Sequence, residues 1–522
     1  MSIPSRAPQS SHTLHFSHKL GGLALASSLG LLLFALGCGS STSVPGPYSN
    51  SSLNGTYVLQ MSGNDSFLDN QNNEQDESYT ETIVLTADGH GSVTGVEDFN
   101  STLAGFIAGS TFAGTYNIAH DGNGSMTINF TAPSTGQINL SITLSSSKRF
   151  VAAEADAFLN FSANATGVGV LQDTAAVSAA PQGTFVTRLH EIIPNSVSSA
   201  TVGALTSPNG TAVTGTIDVL RNDTLLPQLT LTAGSFGAPD TNGRGTLTYT
   251  DSDGVTSTFQ YYIVDANTFW LMTADSTIQG KGTAENQATG ALSLAGNFAF
   301  GSGGDTDAFL GGVRSAGVFT AGTGAISLGT LDSVENNNSI TTDFTGTYTQ
   351  SANGRVLVTL TPSSGPAISE IFWMVSNSRA YFLIGSTTKV EDGTLDMQTQ
   401  NTFATADFNS QFGYAMVMDG YLFSSGYLTR VGTLYPDGKG NMVLNEETNL
   451  LPFPPQALPG VITDPPTLSG TYQVENTGRV TGSIDTLSSN LVIYLVSPGQ
   501  AYILQNDPGV EISGQLTLQT SP

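Results

Sequence analysis

Aspartate and glycine recur together in short motifs, and these carboxylates are the first groups in the chain that could hold a cation. Asp88, Asp121 and Asp437 each begin an Asp-Gly-x-Gly sequence. A calcium ion needs six to eight oxygen ligands, and its recognisable loop has acids at alternate positions and ends in glutamate. None of the three sequences has that pattern, and the equivalent motifs at Asn242 and Ala321 lack the leading acid. We therefore predict hairpin turns here and no metal site.

Three histidines follow residue 37, and each is a candidate general base or metal ligand. His90, His120 and His190 lie in different sequence contexts, and His190 and Glu191 would point to opposite faces of a strand. The chain contains neither the HExxH sequence of zinc enzymes nor the Gly-x-Ser-x-Gly sequence of serine hydrolases. We predict no catalytic residue, and we expect a protein that is not an enzyme.

Paired carboxylates could make a glycosidase, in which two acids flank the scissile bond. The densest acidic cluster lies within SGNDSFLDNQNNEQDESY and consists of Asp65, Asp69, Glu74, Asp76 and Glu77. This segment is polar throughout and is peculiar to the first of the repeats described below. We expect a solvated loop here rather than a site.

The single cysteine, Cys38, directly follows a hydrophobic segment. Residues 1–19 contain Arg6 and Lys19 and no acid, and residues 20–37 are uncharged. This order of a basic region, an apolar region and small residues is typical of a secretory signal peptide. One cysteine excludes a disulfide framework and any cysteine-based zinc site, because both need thiols in sets.

Ala35-Leu36-Gly37-Cys38 resembles the lipobox of bacterial lipoproteins. The resemblance implies that Cys38 is lipidated: its thiol is joined to a diacylglycerol, the signal is cut before it, and the new amine is acylated. Several acyl chains hold a protein on a membrane essentially permanently. The expected location is the bacterial cell envelope, in the outer membrane or at the cell surface, with the membrane as a partner through the lipid anchor.

The net charge of the chain limits the classes of partner that it can bind besides the membrane. The 522-residue chain has 15 Lys and Arg against 41 Asp and Glu, a formal charge of −26 that repels phosphates. Nucleic acid is therefore excluded as a partner. Charged residues make up 11% of the chain and there are 59 glycines, a composition that suits exported all-β proteins.

Four landmarks recur in the same order four times and predict a duplicated unit. Each unit opens with glycine before an aromatic residue, repeats that signature halfway, continues with a turn glycine, and closes on Gly-x4-Gln. The turn glycines are Gly122, Gly243, Gly354 and Gly478, and the closing glutamines are Gln172, Gln287, Gln398 and Gln519. Tyr262, Trp373 and Tyr494 occupy one equivalent hairpin position, and we expect them in a shared core.

Alternating apolar residues predict an all-β fold with about eight short antiparallel strands in each unit. Two closures fit: an up-and-down barrel or sandwich-like unit, and an eight-bladed propeller built from half-units. Spacers recur at full-unit boundaries, which favours barrels, and the opening Gly-Thr-Tyr loosely resembles the first strand of lipocalin-like barrels. The predicted segments are a signal peptide at 1–37, a flexible stalk at 38–52, and β units at 53–172, 182–287, 295–398 and 412–519.

The whole pattern resembles β-repeat envelope lipoproteins of environmental bacteria, a resemblance that implies fold and location but no activity. We expect a non-enzymatic structural, adhesion or binding array that uses no cofactor. A surface glycan, a protein and a small apolar ligand are all open as partners. The alternatives are a small-ligand carrier with lipocalin-like barrel cavities and a carbohydrate-active enzyme.

Overall fold

The computed structural model describes residues 46–68, 74–133, 135–154, 156–158, 161–192, 198–221, 224–306, 311–385, 389–423, 426–452, 461–463, 467–484 and 489–522. These residues form four closed, antiparallel, eight-stranded barrels in tandem, so the predicted all-β fold class is confirmed. Cys38 and the signal segment lie outside the described residues. Within the described part of the chain, no helix is long and apolar enough to cross a membrane.

Barrels 1 and 2 occupy the first half of the chain, and a short 3-10 helix at Asn50–Ser52 precedes them. The strands of barrel 1 are β1 (Asn54–Leu68), β2 (Glu74–Asp88), β3 (Ser92–Ser101), β4 (Gly105–Ile118), β5 (Asn123–Ala132), β6 (Gly136–Ser146), β7 (Arg149–Glu154), β8 (Ala157–Phe158) and β9 (Phe161–Leu171). The strands of barrel 2 are β10 (Gly183–Ile192), β11 (Ser199–Ser207), β12 (Thr214–Arg221), β13 (Thr224–Phe236), β14 (Arg244–Asp251), β15 (Thr256–Asp265), β16 (Thr268–Thr273) and β17 (Gln279–Asn286).

Barrels 3 and 4 follow, and a second 3-10 helix at Thr405–Asp407 lies between them. The strands of barrel 3 are β18 (Gly296–Thr306), β19 (Gly312–Gly322), β20 (Ala325–Glu335), β21 (Asn338–Gln350), β22 (Arg355–Pro362), β23 (Ile368–Ser376), β24 (Arg379–Gly385) and β25 (Lys389–Met397). The strands of barrel 4 are β26 (Tyr414–Leu422), β27 (Gly426–Pro436), β28 (Asn441–Pro452), β29 (Val461–Thr463), β30 (Leu468–Val474), β31 (Arg479–Ile484), β32 (Ser489–Ser497), β33 (Gln500–Gln505) and β34 (Val510–Leu518). The short strands β8 and β29 pair only with β9 and β28, outside the eight-strand circuits.

Each barrel closes by hydrogen bonds between its first and last strands. The closing pairs are β1 with β9, β10 with β17, β18 with β25, and β26 with β34. The halfway glycines lie inside the fourth strand of each barrel, for example Gly114 in β4, and that strand pairs on both sides. The eight-bladed propeller is therefore wrong, because the hydrogen bonding continues through every half-unit boundary.

Hydrophobic side chains fill most of the described interior of each barrel, and buried carboxylates such as Glu81 and Glu154 share the interior of barrel 1. The aromatic residue that opens each unit lies in the core of its own barrel, and at most 1% of its surface is exposed: Tyr57, Phe185, Phe298 and Tyr414. Successive residues of a strand point to opposite faces, so every second residue joins this core. The described interiors therefore contain apolar side chains where a lipocalin-like carrier would have its ligand cavity.

The outer faces of the barrels pack against one another. Barrel 1 contacts barrel 2, barrel 2 contacts barrel 3, and barrel 3 contacts barrel 4, each through its own apolar cluster. A fourth cluster, which includes Val151 and Val417, joins barrel 4 back to barrel 1. Tyr262, Trp373 and Tyr494 lie in these clusters between barrels. They are buried, as expected, but not in the barrel cores.

An ion pair accompanies the aromatic residue at three of the four junctions. A buried aspartate on the third strand of one barrel accepts hydrogen bonds from an arginine and an aromatic side chain of the next barrel. The three sets are Asp98 with Arg244 and Tyr262, Asp218 with Arg355 and Trp373, and Asp332 with Arg479 and Tyr494. The equivalent positions at the junction of barrels 4 and 1 hold Glu447, Asn123 and Thr143, so that set contains no guanidinium.

Candidate functional site

The strands that close the barrels also line a cavity at the centre of the four barrels. The cavity has a volume of about 610 Å³, and all four barrels contribute side chains to its wall. Gln60 of β1, Arg188 of β10, Asp305 of β18 and Asp419 of β26 are among them. The inward side chains of these strands fill the barrel cores, so the outward side chains are free to form the cavity wall.

The backbone around the cavity repeats four times, but the side chains do not. By strand register, one set of equivalent positions holds Ser62, His190, Gly303 and Asp419. Their neighbours on the last strands are Thr166, Lys281, Asp392 and Ser513. Barrel closure tolerates any residue that fits a strand face, so these chemically different side chains are not explained by the fold. The cavity wall therefore has the variation expected of a specific site.

A cluster of charged side chains joins barrels 2 and 3 at one end of the cavity. His190 Nδ1 lies 2.7 Å from Asp392 Oδ1, and His190 Nε2 lies 3.3 Å from Asp305 Oδ2. Arg188 Nε lies 2.6 Å from Asp392 Oδ2. Burial lowers the pKa of His190, but the hydrogen bonds to the two carboxylates outweigh burial and raise the pKa to about 10. His190 is therefore an imidazolium at neutral pH.

Barrel 4 completes this end of the cavity. Tyr421 donates a hydrogen bond of 3.1 Å to Asp305, and the guanidinium of Arg314 lies 5.7 Å from the centre of the Tyr421 ring. Arg314 Nη1 donates to the carbonyl oxygens of Gly304 and Val313. Thr166 of barrel 1 donates a hydrogen bond of 2.6 Å to Asp419. All four barrels are thus tied together by polar contacts at the cavity wall.

A second group of cations lies further along the cavity. Arg379 of β24 forms ion pairs of 3.2 Å with Glu285 of barrel 2 and with Asp396. Tyr381 donates a hydrogen bond of 2.5 Å to the same Glu285. Burial, and then the positive charge of Arg379, lower the pKa of Arg149 to about 10. Arg149 and Arg379 begin the seventh strands of barrels 1 and 3, so they occupy equivalent positions.

Two of the cavity cations have no partner among the described residues. Arg149 forms no hydrogen bond or ion pair through its side chain there, and its Nε is buried. Lys281 of β17 likewise lines the cavity without an ion pair within the described part of the chain. Burial lowers the pKa of Lys281, the nearby charge of Asp419 acts in the opposite direction, and Arg188 and Arg314 lower it further. Both cations would gain from an anion.

The predicted turn residues lie where the sequence places them. Asp88 and Asp437 accept hydrogen bonds from backbone N–H groups of their own turns, as expected of hairpin aspartates. His90 and His120 lie in exposed turns away from the cavity. Among the described residues, no group of three or more His, Cys, Asp and Glu side chains is placed to hold a metal ion.

The described residues of the acidic segment of the first repeat lie in strands rather than in a loop. Asp65 and Glu77 lie opposite each other in the β1–β2 hairpin, with 7% and 9% of their surfaces exposed. The strands extend further than the sequence suggested, because polar residues can continue a hairpin whose backbone groups pair with each other. Asp69 lies outside the described residues. Burial and then the negative charge of Glu77 raise the pKa of Asp65.

Sequence reasoning missed most of the cavity residues. Of the described residues that the sequence offers as candidates, only His190 lines the cavity, and the adjacent Glu191 is buried and does not. Arg149 and Lys281 carry no motif. The sequence signal that points to them is the rarity of basic residues in this chain. Of its 15 Lys and Arg residues 5 line the cavity, compared with 5 of its 41 Asp and Glu residues.

Comparisons with known proteins add little to this description. No family model and no curated protein matches the chain. Solved structures that match include intact Ap-TbpB with its N and C lobes, at 10% identity and a TM-score of 0.16 over 66% of this chain and 76% of that one. Transferrin binding protein B of serogroup B Neisseria meningitidis matches at 9% identity and a TM-score of 0.20, over 66% of this chain and 77% of that one. At these values the similarity assigns no function to this chain.

Proposed function

We propose that the chain is an exported, lipid-anchored binding protein without enzymatic activity, whose four barrels hold a small polar ligand in their central cavity. The observation that carries the proposal is the cavity of about 610 Å³, which exists only because all four barrels meet. Ligand pockets in proteins typically have volumes of about 300 to 1,000 Å³. A ring that served only as a spacer would need no such cavity.

The contrast between the barrel junctions and the cavity wall supports a binding role. At the junctions the outer strand faces carry apolar side chains such as Val186, Val318 and Val417. At the cavity, neighbouring positions of the same strands carry Arg188 and Asp419. Buried polar groups cost free energy unless they are satisfied, and Arg149 and Gln279 of the wall have buried side-chain atoms without a hydrogen-bond partner in the described structure, an arrangement that stability does not explain. A polar ligand explains it.

The protonation state of His190 favours binding over catalysis. A general base must be deprotonated at the working pH, and efficient ones have a pKa near that pH. The two carboxylates raise the pKa of His190 to about 10, so it carries its proton at pH 7. It can then donate hydrogen bonds and carry positive charge, but it cannot accept a proton.

The lipid anchor remains a proposal based on the resemblance of Ala35-Leu36-Gly37-Cys38 to a lipobox. An anchored binding protein fits an envelope location, where an attached body can capture a solute from its surroundings. A protein or a glycan bound at the outer surface of the barrels is a different outcome, which the following experiment separates from cavity binding.

The test is a ligand screen on the full chain, extracted in detergent, with thermal unfolding as the readout. Ser62 lines the cavity, so Ser62→Trp should fill part of it and abolish the stabilisation by any cavity ligand. The matched control is Thr359→Trp, on an exposed strand face of barrel 3. A ligand that stabilises the wild type and Thr359→Trp but not Ser62→Trp supports the proposal. Ligands that stabilise all three proteins equally would place binding outside the cavity and refute it.

A further inference from the structure

The charge of the cavity wall differs from that of the rest of the molecule. The chain as a whole has a formal charge of −26. The wall has five Lys and Arg residues and the protonated His190 against five carboxylates, so its formal charge is slightly positive. A positive wall inside an acidic protein attracts anions to that one place, while the outer surface repels them.

Only some of the cations of the wall form ion pairs with carboxylates among the described residues. Arg188 is paired with Asp392, and Arg379 is paired with Glu285 and Asp396. Arg314 forms no ion pair within the described part of the chain, and its hydrogen bonds go to carbonyl oxygens. Arg149 and Lys281 have no side-chain partner among the described residues, so three cations of the wall lack a carboxylate partner.

A further polar side chain at the wall is also unsatisfied. Gln279 lines the cavity and is fully buried, and both its Nε2 and its Oε1 lack a hydrogen-bond partner in the described structure. The Nε of Arg149 is buried and unpartnered in the same way. Unsatisfied buried donors are rare in native proteins because each costs about 1 to 3 kcal/mol. Donors on different barrels that lack acceptors indicate a ligand that supplies acceptor atoms.

The free cations form two groups that are separated along the cavity. The charged neighbours of Lys281 include Arg188 and Arg314, whereas the charged neighbour of Arg149 is Arg379. Arg149 is paired with Val170 of β9, and the position in barrel 1 equivalent to Lys281 is Thr166. Val170 and Thr166 mark the positions of Arg149 and Lys281 along the last strand of a barrel. They are four residues apart, which is about 13 Å along the strand direction.

On the basis of the proposed function, we infer that the ligand of the central cavity is an elongated dianion, with one anionic group held by Arg149 and Arg379 and the other held near Lys281 and Arg314. Carboxylate and phosphate groups both suit this pattern, because guanidinium and ammonium groups bind either through charge-assisted hydrogen bonds.

The test is isothermal titration calorimetry of the detergent-extracted full chain with linear dicarboxylates from succinate to sebacate. Binding should strengthen with length up to the dicarboxylate that spans both groups of cations. Heptanoate, with one carboxylate, and 1,7-diaminoheptane, with two cationic groups, are the matched controls and should bind weakly or not at all. Equally strong binding of heptanoate would overturn the inference of a second anionic group.

Single substitutions then locate the two ends. Arg149→Gln and Lys281→Gln should each weaken binding of the best dicarboxylate about tenfold or more, because each removes a charged hydrogen bond. Lys439→Gln, in an exposed turn, makes the same change of charge outside the cavity and should leave the affinity unchanged. Binding that survives both cavity substitutions would refute the assigned site.

The outcomes distinguish this inference from the proposed function itself. If no dicarboxylate binds but another compound of the screen stabilises the wild type and not Ser62→Trp, the cavity is a binding site for a different class of ligand and only the dianion is wrong. If no compound stabilises the wild type without also stabilising Ser62→Trp, the proposed function fails as well.

Discussion

Gln519, at the end of the last repeat, donates hydrogen bonds from its Nε2 to the carbonyl oxygens of Leu144, at 2.8 Å, and Asp121, at 2.9 Å, in the first repeat. The other closing glutamines do the same to the barrel that follows: Gln172 to barrel 2, Gln287 to barrel 3 and Gln398 to barrel 4. Only Gln519 makes this contact backward along the chain. It therefore closes the ring at the one junction that has no covalent linker between the barrels.

Replacement of Gln519 by alanine should destabilise the junction of barrels 4 and 1. The substitution leaves two carbonyl oxygens without their donor, which costs about 1 to 3 kcal/mol. Chemical denaturation would measure the loss, and hydrogen exchange should increase near Leu144 and Tyr48, whose hydroxyl donates to Thr520. The control is Gln182→Ala, at an exposed position. Unchanged exchange at this junction in Gln519→Ala would show that the apolar cluster alone closes the ring.

The turn glycine beside each glutamine should tolerate no side chain. Gly243 has a φ of +75°, and an added Cβ would lie 3.0 Å from Gln172 Nε2 and 2.9 Å from Val177 Cγ1. Gly254 has a similar φ of +81°, with nothing within 4 Å of an added Cβ. Gly254→Ala should cost about 1 to 2 kcal/mol from backbone strain alone, and Gly243→Ala should cost clearly more. Equal losses of unfolding free energy would show that the glutamine can move away.

These contacts show which features of the fold can be predicted from the sequence and which cannot. The repeated glycines and glutamines predicted four tandem β units, and the structure has four barrels, because a hairpin turn and a barrel core impose the same local requirement in every copy. Their contact with each other could not be predicted, since Gly122 and Gln519 belong to different units and nothing local brings them together. Trp373 was misplaced for the same reason: alternation predicts that a residue is buried, but not whether a core or a neighbouring barrel buries it.

The cavity was hidden from the sequence for a further reason. A site built from repeated strands leaves no contiguous motif, because Arg149 and Lys281 come from different units and each is one residue in an ordinary strand. Their significance depends on the ring, which brings four strand faces together. Comparison of equivalent positions in the four units can single out these two residues, but only as basic residues in a chain that has few of them. It does not say what they do.

Stability should fall as the pH rises from 5 to 8. Burial raises the pKa of Glu191 to about 7 and that of Glu370 to about 8, where the negative charge of Glu391 adds to the effect. With a folded pKa above the ordinary value of 4.5, each carboxyl binds more protons in the folded state. Its contribution is complete below about pH 4.5 and is lost as the pH rises through the folded value. Denaturation at several pH values would measure this slope.

A glutamine at position 370 isolates one of these groups. Glu370→Gln keeps the buried shape without the charge, so it should stabilise the protein at pH 8 relative to the wild type and change little at pH 5. Asp253→Asn, in an exposed turn, is the control and should leave the slope as it is. A slope that is equally steep in Glu370→Gln and the wild type would assign the pH dependence to other groups.

Cys38→Ala should release the protein from the membrane if Cys38 carries the proposed lipids. Without the thiol the diacylglycerol cannot be attached, and the remaining attraction to a lipid surface is weak for so acidic a chain. Cell fractionation and metabolic labelling with a fatty acid would measure the loss, with Ser41→Ala as the control. A membrane-bound but unlabelled Cys38→Ala protein would indicate that residues 20–37 remain as an uncleaved helix.

Removal of Arg355 should open the junction of barrels 2 and 3. Its Nε and Nη2 donate hydrogen bonds of 2.8 and 2.6 Å to Asp218. Asp218 also accepts a hydrogen bond of 2.7 Å from Trp373 Nε1. The Asp218 side chain is fully buried, so Arg355→Ala leaves an uncompensated charge at a cost of about 3 to 5 kcal/mol. Asp218→Asn in the same chain removes that charge and should recover most of the unfolding free energy. If the double variant is no more stable than Arg355→Ala, the arginine contributes through packing against Trp373 rather than through its charge.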